Sequence, residues 1–204
     1  MTAKPRGRPR KELDIALLEA AASEFLEFGY TDANIERIAA TGKTSKPALY
    51  RRYPGKETLF AAALEHMAKD FELDLSFLDP QRKVGDALYE LAKLFHEKLG
   101  SPRVIAMTRL GGFESARFPQ LILHFRQTVM NGFMGPITDY FRWLDEQGIA
   151  RIANPLEAAI IFSTLTGRPL ERVMGVVVPV EEVEPYLREQ VRFFLAGYSP
   201  QDKA

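Results

Sequence analysis

Apolar positions in this chain recur at three- and four-residue spacing along most of its length, the period of helices that bury one face. Leu13, Leu17, Ala20, Ala21, Phe25 and Phe28 form the first such stripe, and Gly29 is its predicted stop. Asn34 suits the N-cap of a second helix with Ile35, Ile38 and Ala39 facing inward, ended by Gly42. Thr44 or Ser45 caps a third, with Pro47 in its first turn, where a missing N–H costs little. After the Pro54-Gly55 break a long helix is predicted from near Lys56 through Leu59, Ala63, Met67 and Phe71 to about Leu78. Further helices are expected at about 81–99, 102–112, 119–147, 155–167 and 181–197, with Pro136 kinking or splitting the longest. Only Val176-Val177-Val178 looks strand-like; with no partner run it reads as a loop. The fold class is therefore all-α: a small three-helix head, then a larger helical body sharing the helix that begins near Lys56.

Composition narrows the reading. Apolar residues make up 46% of the 204, enough for a substantial core. Net charge is zero, but its distribution is uneven: residues 1–59 hold eleven Lys/Arg against eight Asp/Glu, and the remainder carries the compensating acidic excess. Absence of cysteine excludes disulfides and thiolate metal sites and fits a cytoplasmic protein. The N-terminal residues carry no apolar stretch of a secretory signal, and no run of about 18 apolar residues suggests a membrane span.

Chemistry concentrates between Ile38 and Leu59. From Lys43 to Lys56 there are five basic residues and no acid. A compact helical hairpin whose second helix is charged and carries an aromatic is suited to the DNA major groove. On that helix Lys46 and Arg51 are placed to donate to guanine O6 and N7, and Pro47 and Ala48 to touch a thymine methyl. Tyr50, Arg52 and Lys56 suit phosphates, Lys43 adds charge beside the groove, and the helix starts near Asn34 and at Thr44-Ser45 offer backbone N–H groups. The arm Arg6-Gly7-Arg8-Pro9-Arg10 is either a minor-groove contact or a solubilising tail.

From about Leu13 to Leu64 the sequence resembles the N-terminal domain of the TetR/AcrR family of transcriptional regulators. The resemblance rests on Phe25, the Phe28-Gly29-Tyr30 turn and Ile38-Ala39-Ala40. It continues through Ser45-Lys46-Pro47-Ala48-Leu49-Tyr50, Tyr53-Pro54 and Lys56-Glu57-Thr58-Leu59-Phe60. It implies that the helix from Ser45 to Tyr53 reads DNA, with Tyr50 and Lys56 on phosphates. The family often has Ala-Gly in the turn where this chain has Gly42-Lys43. Either Gly42 takes the left-handed conformation here or Lys43 does so at a small strain cost. The implied organisation is a flexible basic arm (1–11), a helix-turn-helix domain (12–59) and an effector-binding and dimerisation domain (60–204).

Other signals are weaker. Gly42-Lys43-Thr44 echoes the end of a phosphate-binding loop, but Arg37 stands where its first glycine belongs. His66, His96 and His124 have no metal-ligand spacing, no catalytic constellation emerges, and no cofactor is expected.

In the body, eleven of the fourteen phenylalanines lie beyond Phe60, and several with soft methionines are expected around a common centre. The resemblance turns this into an expected effector pocket for a small apolar or aromatic molecule. Its lining would be Met67, Phe71, Phe95, His96, Met107, Thr108, Arg109, Phe113, Phe125 and Phe133. It also implies a homodimer through the last two long helices, with Ala158, Ala159, Phe162, Leu165, Leu187, Val191, Phe194 and Leu195 at the interface. Such a dimer presents two reading helices to a palindromic operator on double-stranded DNA. The functional expectation is a ligand-responsive regulator, most often a repressor in this family. Its rivals are an architectural DNA-binding protein without an effector, and a small all-α enzyme.

Overall fold

A computed structural model describes residues 10–71 and 73–199. Arg6 and Arg8, and the side chain of Arg10, lie outside the described residues. Among those described there are ten α-helices and no strand. They are α1 (Arg10–Asp32), α2 (Ile35–Thr41), α3 (Lys46–Arg52), α4 (Lys56–Ala68), α5 (Val84–Leu99), α6 (Pro102–Glu114), α7 (Pro119–Glu146), α8 (Pro155–Gly167), α9 (Pro169–Val173) and α10 (Val180–Gly197). No described helix is long and apolar enough to cross a membrane.

The chain divides into two compact units. The first, the head, is the chain up to Asp70 together with Leu110–Arg126. The second, the body, is Phe71–Arg109 and the chain from Gln127 onward. The boundary therefore follows α4 rather than preceding Phe60, because Leu59, Phe60, Ala63 and Leu64 are buried as α4 packs along α1. Leu110–Arg126 joins the head through an aromatic contact that sequence spacing does not reveal. Phe118 meets the Tyr30 ring edge-on at 4.6 Å and the Phe60 ring at 5.6 Å.

Local chemistry accounts for the helix ends. Asn34 caps α2, its Oδ1 accepting from the Glu36 and Arg37 N–H groups at 2.7 and 3.2 Å. Ser45 caps α3, its Oγ accepting from the Ala48 N–H at 3.3 Å. Gly29 breaks the regular helix inside α1 (φ 69°, ψ −179°), so α1 consists of two helical pieces meeting at the expected stop. The helix from Lys56 stops at Ala68 and a short 3-10 turn at Phe71, well before Leu78. Asp74 then accepts from the Ser76 N–H at 3.0 Å, and Asp79 from the Gln81 N–H at 2.8 Å; such local turns compete with helix. Pro136 does not split α7, which runs unbroken from Pro119 to Glu146. Gly132, whose carbonyl loses its helical donor at Pro136, is exposed to water. The short α9 was not anticipated; Pro169 begins it.

The turn between α2 and α3 resolves the Gly42-Lys43 alternative. Lys43 is the left-handed residue (φ 52°), while Gly42 has φ −76°. Gly42 is there for room. A Cβ at that position would lie 2.9 Å from Leu17 Cδ1 and 3.1 Å from both Leu17 Cα and the Ile38 carbonyl oxygen. The α2 end thus sits directly on α1.

In the body, α5 packs against α8 and α10. Its core is a chain of fully or nearly fully buried rings: Phe95 contacts Phe133 (5.1 Å) and Phe162 (6.1 Å), and Phe162 contacts Phe141 (6.0 Å) and Phe194 (4.9 Å).

Two substitutions in the turn are expected to act oppositely. Gly42→Ala should destabilise the head by roughly 1–3 kcal/mol through overpacking against Leu17. Lys43→Gly should stabilise it by about 1 kcal/mol by relieving the left-handed backbone. Denaturant unfolding checks both; a neutral Gly42→Ala would contradict the close approach.

Candidate nucleic-acid interface

Leu49 is wholly buried and fixes the inner face of α3. The opposite face carries Lys46, Pro47, Tyr50 and Arg51, all exposed, with Ala48 and Thr44 half-buried. Exposed Lys43 and Ser45 precede it. The Thr44 N–H donates to the Ala39 carbonyl at 2.9 Å, tying the turn to α2. The sequence-predicted reading residues are thus gathered on one accessible strip.

Three of the predicted cations are engaged within the head. Lys46 Nζ donates to Glu36 Oε1 at 2.8 Å. This hydrogen bond raises the Lys46 pKa and lowers that of Glu36. The exposed face of α3 is therefore not free of acid: α2 supplies a carboxylate that the run from Lys43 to Lys56 does not contain. Arg52 pairs with Asp14 of α1. Lys56 turns back on α1, where its Nζ donates to the Thr31 carbonyl at 2.9 Å and lies 5.2 Å from the Tyr30 ring centre. Burial lowers the Lys56 pKa, and the nearby Arg117 charge adds to that shift. In the DNA-free head Lys56 is thus a tie across the α1 end.

Sequence reasoning missed two clamps that hold this face. Glu24 is nearly buried, and its Oε1 accepts from Arg37 Nε at 2.9 Å and from the Asn34 N–H at 2.8 Å. Burial alone would raise its pKa; the Arg37 and Asn34 hydrogen bonds and the Arg37 charge outweigh that, so the pKa is lowered. The second clamp surrounds Tyr30. Its N–H donates to Glu114 Oε1 at 3.0 Å, its ring meets Phe60 at 5.3 Å, and the Arg117 guanidinium lies 4.6 Å from the ring centre. A carboxylate–guanidinium pair 13 residues apart and a carboxylate–backbone N–H bond across 84 residues leave no periodic signal in a sequence.

The expected effector-pocket set is divided. Phe71, Phe95 and Phe133 come together in the body, with Phe71 and Phe133 centres 6.1 Å apart, but as buried rings packed on one another. Met107 is buried in the same unit, while Met67 and Phe125 belong to the head. Phe113 is a correction: it is 83% exposed on α6, so it lines no enclosed space. Thr108 is exposed, its Oγ1 donating to the Val104 carbonyl of its own helix at 2.9 Å. His96 is buried against Arg172 of α9, and Arg109 reaches the Val173 carbonyl. The expected dimer residues need the same correction. Ala158, Ala159, Phe162, Leu187, Val191 and Phe194 are buried within the protomer's own core, leaving only Leu165 and Leu195 half-exposed. Helical periodicity separates two faces of a helix but does not say which one meets its own chain.

A capped helix-turn-helix with one basic strip facing solvent is the architecture of a DNA-binding regulator. The description "Bacterial regulatory proteins, tetR family" fits residues 17–63, and "AefR-like transcriptional repressor, C-terminal domain" fits residues 86–200. The chain belongs to the TetR family of bacterial regulatory proteins, a family of transcriptional regulators rather than enzymes. Among curated relatives, it is 38% identical over 64 residues to the HTH-type transcriptional repressor SCO4008 of Streptomyces coelicolor, covering 31% of this chain and 33% of that protein. It is 32% identical over 71 residues to the HTH-type transcriptional repressor NicS of Pseudomonas putida, covering 32% and 34%. The match thus spans about a third of the length of these relatives. A TetR-family transcriptional regulator from Mesorhizobium loti shares the fold, with a TM-score of 0.83 at 23% identity over 95% of this chain and 100% of that one. The flavonoid-responsive regulator FrrA gives 0.77 at 25% identity over 94% and 99%.

The Glu24 clamp predicts a pH dependence. With its folded pKa depressed, its stabilisation is complete above the unfolded carboxylate range and is lost as pH falls through the folded value. Glu24→Gln should cost about 2 kcal/mol at pH 7 and flatten the acid limb of the stability curve. Urea melts from pH 3 to 7 check this; an unchanged acid limb would contradict it.

Proposed function

We propose that the chain is a ligand-responsive transcriptional repressor that binds a palindromic operator as a homodimer and acts in the cytoplasm. The observation that carries this is the strip on α3, where Lys46, Pro47, Tyr50 and Arg51 are exposed while Leu49 anchors the helix behind them. Lys46 and Arg51 address base edges, and Tyr50 with Lys43 addresses phosphates. Lys46 exchanges its Glu36 partner for a base on binding, which makes Glu36 a filter against wrong sequences.

For the dimer, the outward surfaces of α8 and α10 carry what the core residues do not. Leu156, Ile160 and Ile161 on α8 and Phe193 on α10 are exposed, Phe193 at 66%. Between the two helices runs a groove of about 410 Å³ that includes Leu165, Phe193 and Ala196. Large apolar side chains on two adjoining helices of one unit form a face that a second copy buries.

Effector control passes through α6. Its residues to Arg109 belong to the body and those from Leu110 to the head, where Glu114 holds the Tyr30 N–H. A ligand that prefers one position of the body part of α6 thereby biases the Tyr30 clamp, and through it α1 and α4. The similarity to a regulator named as flavonoid-responsive supports an aromatic or apolar small molecule as the effector.

Selection of bound duplexes from a random pool is expected to return a two-fold symmetric sequence. Lys46→Ala should relax the choice at one position per half-site by about 1–3 kcal/mol. Tyr50→Ala should weaken all duplexes alike. If both variants select and hold the same sequences as the parent, the α3 assignment fails. In sedimentation velocity, Phe193→Asp should convert a dimer to a monomer at micromolar concentration; a parent that is itself monomeric there sinks the dimer.

A further inference from the structure

The body holds a surface cleft whose chemistry neither the DNA face nor the dimer face uses. Its floor is one stripe of α6, Pro102, Ile105, Ala106 and Arg109, at the i, i+3, i+4, i+7 spacing of a helix face. Gly100, at the end of α5, and Arg172, Gly175, Val176 and Val177 close the other side of a space of about 320 Å³. Among the described residues lining it there are two arginines and no carboxylate.

Both guanidinium groups are held by neutral partners. Arg109 donates from Nη2 and Nε to the Val173 carbonyl, at 2.7 and 3.3 Å, which leaves its Nη1 face uncommitted. Arg172 Nη2 lies 2.5 Å from His96 Nε2, while its Nε is buried without a hydrogen-bond partner. Its Cζ and Nη1 are pressed against Gly100, where a Cβ would come within 3.1 and 3.2 Å of them. Burial, then the Arg172 charge, lowers the His96 pKa, so the imidazole accepts a hydrogen bond as a neutral group and cancels no charge. Elsewhere in the body arginines pair with carboxylates: Arg168 with Glu171, Arg142 with Asp139, Arg188 with Glu184. Glu171, next to Arg172 in sequence, is taken up by the fork to Arg168, at 2.5 and 2.7 Å. Glu171 still acts on Arg172 by charge at a distance, but no carboxylate among the described residues is bonded to either guanidinium. Two preorganised guanidinium groups without a bonded acid favour a carboxylate.

The rest of the cleft is apolar and open. Val177 is 75% exposed, and Val176, Ile105 and Pro102 complete a wall beside the arginines. Apolar side chains next to two guanidinium groups that no described carboxylate hydrogen-bonds fit an amphiphile. We infer that this cleft is the effector site and that its ligand class is a small carboxylate with an aromatic or aliphatic body, the carboxylate on the free Nη1 face of Arg109 beside the Arg172 charge and the body along Ile105, Val176 and Val177. This deepens the regulator reading and rests on it. It places the ligand on the part of α6 that precedes Glu114 in the chain, and it replaces the buried ring cluster as the ligand site.

Calorimetric titration of the full chain at pH 7 with benzoate and with octanoate, each beside its uncharged amide, tests the inference. At least one carboxylate is expected to bind once per chain and about tenfold or more tighter than its amide, a difference of about 1.4 kcal/mol. Arg109→Gln should weaken it by a similar factor, and so should Val177→Glu, which changes an exposed side chain and leaves the core alone. Absence of binding by both acids up to about 10 mM, amides that bind as well as the acids, or unaltered affinity in both variants overturns the site. Operator retention is read on the same samples. Sequence-specific DNA binding without carboxylate heat removes the cleft and keeps the regulator. Carboxylate heat that leaves the DNA complex intact keeps the cleft as a ligand site but removes its role as effector site, overturning the inference as stated.

Discussion

The absence of a side chain at Gly42 is the constraint on which the rest of the head depends. Because Leu17 of α1 comes within about 3 Å of where a Cβ would stand, α2 ends on the surface of α1 and the chain reverses at once. That reversal makes Lys43 adopt a left-handed backbone and delivers Ser45 as the cap of α3. With Leu49 buried behind it, α3 has little freedom to roll, and its polar strip faces outward. The Glu24 carboxylate holds the opposite end of α2, its start, by joining Asn34 and Arg37. A helix of seven residues has too little helical stability of its own to hold this posture, so tertiary contacts must.

The Tyr30 clamp plays the corresponding part at the other end of α1. Gly29 turns the helix so that the Tyr30 N–H leaves the helical ladder and finds Glu114. Around the ring lie Phe25, Phe60 and Phe118, with the cations Lys56 and Arg117 on it. Lys56 and Arg117 also reach the Thr31 carbonyl and hydroxyl. Polar and apolar contacts therefore converge on one short stretch of α1, and α6 supplies a share of them. The proposed effector control requires the surface on α3 to respond to events on another part of the chain. A helix whose two ends are each anchored, at Val173 through Arg109 and at Tyr30 through Glu114, is the continuous element suited to that task.

Much of this was legible in the residues and some was not. Asn34, Ser45 and Pro47 announced the helix starts because capping is local chemistry, and the basic run announced the reading strip because charge and spacing survive in one dimension. The end of α4 was misread because Leu73, Leu75, Phe77 and Leu78 extend an apolar pattern, while Asp74 and Asp79 divert the backbone into turns. Phe162, Ala158 and Ala159 were read as an interface because small and aromatic residues serve equally for packing within a chain and between chains; the structure commits them inward, and Ile160 and Phe193 outward. Glu24, Glu114 and Arg172 were passed over because each acts across a long sequence separation. A lone charged residue gives no sign of its partner.

The central claim is that the strip on α3 grips the bases of a duplex. Amide hydrogen exchange of the chain alone and bound to a duplex selected from a random pool measures this residue by residue. Slowed exchange from Lys43 to Tyr53 on the specific duplex, with far less on an unrelated duplex of equal length, is the expected result. If that stretch exchanges at the same rate with and without the specific duplex while protection appears elsewhere, DNA is bound by another surface and the account is wrong.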